Sequence, residues 1–86
     1  MRFAFLMDPI ERVLVDKDTT FAFMLEAQRR GHEVFTLGSA DLIGARGGVY
    51  GTLRRTRVRA VSAPGHFESD APEVVDMAGL DAVFIR

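Results

Sequence analysis

The sequence predicts an α/β domain built on an open sheet of parallel strands. Three observations carry this: an apolar run that stops at an Asp-Pro step, a helix with complete start and stop signals, and a second apolar run directly after it. At 86 residues there is room for one small core and one domain, spanning residues 1–86. Hydrophobic residues make up 48% and charged residues 27%, the proportions of an ordinary globular chain.

The first element is Arg2 to Met7, almost continuously apolar, as expected of a strand buried on both faces. Asp8-Pro9 ends it, because proline has no amide proton to continue a ladder. A loop runs to Lys17 and contains the apolar trio Val13-Leu14-Val15. The helix then starts at Asp18 or Thr19, either of which can accept a hydrogen bond from a free amide of the first turn. Phe21, Met24, Leu25 and Gln28 recur at helical spacing, and Phe23, Ala27 and Arg30 form the adjoining face. Phe21, Phe23, Met24 and Leu25 are expected in the core. Glu26 and Arg30 form an i,i+4 pair, and Gly31 supplies the left-handed position past the helix end.

Glu33 to Leu37 reads as the second strand, closing a βαβ unit. Residues 41–46 and 49–60 flank Gly47-Gly48, a turn pair suited to a tight hairpin. Residues 62–73 read as a loop rich in Pro, Gly, Ser and acids, and Val74 to Ala78 as one helical turn. Asp81 to Arg86 reads as a third parallel strand. With the first strand central and the other two flanking it, the sheet is expected to be Rossmann-like, carrying a β-hairpin excursion at its edge. The last strand has no following helix to cover it, so the domain is expected to belong to a longer chain.

Composition narrows the function classes. A net charge of −1 gives no pull toward nucleic acid or anionic lipid. Without cysteine there is no disulfide or thiolate chemistry. No stretch is long enough for a membrane span, and the short apolar start does not read as a secretion signal, so a cytoplasmic location is expected. Neither G-x-G-x-x-G nor G-x-x-x-x-G-K-[ST] is present. His32 and His66 stand alone and read as surface histidines without a metal or general-base role. Arg54, Arg55, Arg57 and Arg59 form a basic cluster without interleaved aromatics, which reads as a solvated or intersubunit hairpin face.

Open α/β sheets bind ligands beyond the carboxyl ends of their strands. That rule selects Asp8-Pro9-Ile10, residues 38–41 and Arg86, with the helix start at Asp18-Thr19-Thr20 facing the same rim. The amides there can hold a carboxylate or phosphate, and an arginine can clamp a carboxylate in bidentate fashion. Strand termination and helix capping account for the same residues equally well.

The blocks Met7-Asp8-Pro9-Ile10, Lys17-Asp18-Thr19-Thr20-Phe21-Ala22 and Leu25-Glu26-Ala27-Gln28-Arg29-Arg30-Gly31-His32-Glu33 closely resemble the opening of prokaryotic glutathione synthetases, spacing included. Asp41-Leu42 resembles that family's step into its hairpin, and Leu80 to Arg86 the strand leading to its R-K-D-P-P-F-D motif. The resemblance covers nearly the whole chain, least at residues 60–74. It implies the pre-ATP-grasp domain of an ATP-grasp ligase joining γ-glutamylcysteine to glycine, with ATP and Mg2+ bound in later domains and a homo-oligomeric assembly. It implies substrate-facing roles for Asp8, Pro9, Asp18, Thr20 and Arg86, no catalytic or metal-binding residue in this stretch, and no activity of the stretch alone. A stand-alone flavodoxin-like binding or regulatory module, and the N-terminal domain of another ATP-grasp ligase, are the competing readings.

Overall fold

The computed structural model describes residues 1–45 and 47–85. Among them, seven strands and one α-helix form a mixed α/β domain: β1 (Arg2–Leu6), α1 (Thr19–Arg29), β2 (Glu33–Leu37), β3 (Leu42–Ala45), β4 (Gly48–Val58), β5 (Phe67–Ser69), β6 (Glu73–Asp76) and β7 (Ala82–Ile85). β1 is central in a parallel trio, pairing β2 from Arg2↔Glu33 to Leu6↔Leu37 and β7 from Phe3↔Ala82 to Leu6↔Ile85. The expected parallel sheet stops there. β4 pairs antiparallel with β2, β3, β5 and β6, so the sheet is open and curled, with more antiparallel strands than a Rossmann-like sheet carries. The long connection from β1 to β2, which carries α1, returns the chain in the same direction, whereas the links from β3 to β4 and from β4 to β5 reverse it; β5 and β6 then run in one direction, both antiparallel to β4.

The helix follows its local signals closely. Asp18 is the N-cap, its Oδ1 accepting from the Phe21 amide at 2.8 Å. At the other end Gly31 has φ +84°, the Gly31 amide donates to the Gln28 carbonyl and the His32 amide to that of Ala27, both at 3.0 Å. These are the two hydrogen bonds of a Schellman motif, which satisfies carbonyls the helix leaves open.

Glu26 accepts from Arg29 at 2.6 Å and from Arg30 at 2.8 Å. Those hydrogen bonds, Arg29 first, hold its carboxyl well below the usual range, at about 2. A depressed folded-state value means the contribution is present above the unfolded carboxylate pKa and fades as the pH falls through the folded one. The stability difference between the wild-type chain and Glu26→Gln is therefore expected to shrink between about pH 4.5 and about pH 2. Urea titrations across that window check it, and a difference independent of pH would contradict it. The effect is small, because the pair is solvent-exposed.

Side chains alternate across β1 and β2 and divide the core between two faces. Phe5, Met7 and Val34 pack with Phe21, Met24 and Ala27 of α1 and with Val58. Ala4, Phe35 and Leu37 pack on the other face with Leu53, covered by Val75, Met77 and Leu80. Phe23 is not in the core as expected; it is 57% exposed, because α1 turns the Phe21-Met24-Ala27 stripe to the sheet and carries Phe23 onto the flank. Leu25 is partly buried against the core, as expected.

Three further expectations shift. The hairpin register pairs Ala45 with Gly48, so Gly47 (φ +86°) lies in the turn and Gly48 already opens β4. Residues 62–73 are not all loop, since β5 forms within them against Thr56, Arg57 and Val58. Residues 74–78 form no isolated helical turn: β6 pairs Glu73–Asp76 with β4, and a 3-10 turn follows at Met77–Gly79, capped by Asp76. In both segments cross-strand pairing, which local composition does not encode, decides the conformation.

Candidate functional site

The proline three residues past β1 sets the geometry of the rim. Pro9 (φ −49°, ψ 125°) turns the chain into a 3-10 helix, Ile10–Arg12, and Ile10 and Val13 drop into the core beneath it. The amides of Lys17 and Asp18 then donate to the Leu14 carbonyl at 3.0 and 2.9 Å. These successive turns bring Asp18 back beside Asp8. The loop's apolar trio splits accordingly: Val13 is buried, Val15 half-buried and Leu14 exposed.

Two adjoining clefts result, sharing Pro9. The first, about 470 Å³, is lined by Asp8, Pro9, Arg12, Lys17 and Asp18 among others. Its walls carry two carboxylates and two cations, so it can meet a ligand bearing charges of both signs. It unites three of the residues named from sequence: Asp8, Pro9 and Asp18. Thr20 stands in the first turn of α1, half-buried, and lines neither cleft. Arg86 lies outside the described residues.

The second cleft, about 480 Å³, opens between the carboxyl ends of β1 and β2 and the curl of β4. Glu11, Thr36, Asp41, Arg54 and Ser69 line it with Pro9. Sequence reasoning singled out none of these polar groups as ligand-facing, although Asp41 falls in the 38–41 segment the strand-end rule selects. Asp41 also fixes the start of its own turn, accepting from the Gly38 amide at 2.7 Å. Behind the cleft the Thr56 hydroxyl donates to the Arg54 carbonyl at 3.1 Å, and meets the hydroxyls of Thr36 and Ser69 at 2.9 and 3.0 Å.

The basic cluster resolves into paired and unpaired members. Arg57 binds Asp70 at 2.7 Å and Glu68 at 3.1 Å, and Arg59 approaches Glu68 at 3.8 Å. The Arg57 hydrogen bond holds the Asp70 carboxyl below its ordinary value, and the same contacts raise the guanidinium. That solvated, neutralised face fits the expectation from sequence. Arg54 differs. Its hydrogen bond is a long one, 3.4 Å to the Asp70 carbonyl, and among the described residues it forms no ion pair.

His66 departs furthest from expectation. It is fully buried rather than on the surface, its Nε2 2.7 Å from the Ile10 carbonyl and its ring against Phe21 and Phe67. Since a carbonyl only accepts, Nε2 carries the proton, and the buried Nδ1 has no hydrogen-bond partner among the described residues. His66 thus ties residues 59–66 to the turn that floors the rim. Among the described residues no three histidine or acidic side chains converge as metal ligands, and no helix is long and apolar enough to cross a membrane.

By class this is a mixed α/β domain with a curled open sheet and two charged clefts near the carboxyl ends of its parallel strands, the place where open α/β sheets bind ligands. The particular family is given by comparison: the prokaryotic glutathione synthetase N-terminal domain family matches residues 1–86, and the chain belongs to it. Over 81 residues, 94% of the chain, it is 37% identical to a glutathione synthetase of Coxiella burnetii. It is 37% identical over its full length to that of Rhodopseudomonas palustris and 33% to that of Salmonella typhimurium. The chain covers 25% of the Coxiella protein and 27% of each of the other two, so it spans about a quarter of the length of these relatives.

Proposed function

We propose that residues 1–86 are the substrate-side domain of a cytoplasmic, homo-oligomeric glutathione synthetase. In this reading the full-length enzyme joins γ-glutamylcysteine to glycine, with ATP activating the dipeptide carboxylate as an acyl phosphate. The observation that carries it is the match of all 86 residues to this N-terminal family, together with charged clefts at the sheet rim. Asp8, Pro9 and Asp18 face the dipeptide across the first cleft, and Thr20 and Arg86 are assigned to the same rim.

The described residues do not fit ATP and Mg2+: they supply no glycine-rich phosphate loop and no acidic cluster. In this reading both are held elsewhere in a full-length enzyme of the ATP-grasp class, and the role proposed for this domain includes no chemical step. Its contribution is positional, since holding a reacting carboxylate in place lowers the entropic part of the barrier.

The full-length protein is expected to release ADP from ATP only when both γ-glutamylcysteine and glycine are present, and residues 1–86 alone are expected to show no turnover. Asp8→Asn in the full-length enzyme should raise KM for γ-glutamylcysteine about ten-fold, as for the loss of one charge-assisted hydrogen bond. Steady-state kinetics check this. A full-length protein that ligates other substrates but not these would overturn the reading.

A further inference from the structure

We infer that the second cleft holds an α-amino-acid head, a carboxylate and an ammonium on one carbon, with Arg54 as the carboxylate anchor. The inference deepens the proposed function and rests on it for the identity of the ligand, the glutamyl end of the dipeptide.

The polar groups sort by sign. The Thr56 hydroxyl has one proton, and it goes to the Arg54 carbonyl at 3.1 Å. Its contacts with Thr36 and Ser69 must then be bonds it accepts, so those two hydroxyls spend their protons on Thr56. Both line the cleft, so what they present to a ligand is oxygen lone pairs. Glu11 and Asp41 add carboxylates. Together these four groups accept hydrogen bonds and carry negative charge, which is what an ammonium requires.

Arg54 supplies the opposite sign. It is exposed, lines the cleft, and among the described residues has no carboxylate partner, whereas Arg57 pairs with Glu68 and Asp70 and Arg59 with Glu68. A planar guanidinium of this kind binds a carboxylate through two parallel N–H groups. The antiparallel pairing Thr36↔Arg54 sets the cation and one of the lone-pair hydroxyls directly across from each other on the same face of the sheet. The volume, about 480 Å³, is within the range of small-molecule sites.

The test compares three acyl donors in the full-length enzyme: γ-glutamylcysteine, 4-aminobutanoylcysteine (no α-carboxylate) and glutarylcysteine (no ammonium). Wild-type enzyme should prefer γ-glutamylcysteine over 4-aminobutanoylcysteine by about 10- to 100-fold in kcat/KM. Arg54→Gln should abolish that preference by weakening γ-glutamylcysteine alone, Arg54→Lys should restore part of it, and Arg55→Gln should leave it intact. Glu11→Gln should narrow the preference over glutarylcysteine instead. Equal losses on all three substrates, or none, would overturn the assignment. A calorimetric arm needs no ligation: the same protein should bind L-glutamate more tightly than 4-aminobutanoate or glutarate, and Arg54→Gln should weaken it. Absence of ligation with glutamate binding intact sinks the proposed function but not the site; ligation with an Arg54-independent preference sinks the site alone.

Discussion

Phe21→Ala lowers the unfolding free energy by about 3–5 kcal/mol, the range for truncating a buried aromatic ring. Phe21 is fully buried in the first turn of α1, where the helix meets β1, Met24, Val58 and His66. It is the point at which the helix, the long antiparallel strand and the 59–66 segment share one contact, so neighbouring side chains cannot close the void without pulling one of them away. A loss of this size is a large fraction of the stability of a small domain. Phe23→Ala is the matched control, two residues away on the exposed flank, and is expected to cost about 0.5 kcal/mol or less. Urea unfolding of both variants decides the matter; similar losses would mean that α1 does not dock through the Phe21 stripe.

His66→Ala is expected to cost about 2–4 kcal/mol, combining a lost hydrogen bond of about 0.5–1.5 kcal/mol with a cavity among aromatic rings. The Ile10 carbonyl keeps a second donor, the Val13 amide at 3.2 Å, so it is not orphaned by the change. The two contributions can be separated. His66→Leu fills most of the space and removes the buried Nδ1, so it should recover most of the loss. His66→Gln keeps an N–H donor and should hold residues 59–66 as protected from proteolysis as in the wild-type chain. A His66→Ala cost below about 1 kcal/mol would show that the site collapses around the missing ring.

These two side chains also mark how far the sequence could be read. Phe21 was legible because α1 is specified locally: Asp18 caps it, Gly31 ends it, and Phe21, Met24 and Leu25 recur at helical spacing, although only the structure put Ala27 on that face and Phe23 off it. His66 was not. A lone histidine in a polar segment carries no sign of burial; its place follows from β5 pairing with β4 and from Ile10 arriving beneath it. The first cleft was half legible, since Asp8, Pro9 and Asp18 lie at a strand end and a helix start. The second was legible only at its strand-end edge, in Pro9, Ile10 and residues 38–41; its other wall was hidden, because Arg54 and Thr36 are 18 positions apart and meet only through an antiparallel register.

By itself, the sequence determined the βαβ opening, the place of β7 beside β1, the helix caps and the strand-end rim. Each depends on residues within a few positions of one another, or on apolar runs that must be buried. Only the tertiary structure decided the sheet's mixed direction, the strands at 67–69 and 73–76, the burial of His66 and the sign pattern of the second cleft. All of these hang on β4, an eleven-residue strand with four antiparallel partners. Backbone hydrogen bonds to distant segments, rather than local side-chain preference, selected each of them.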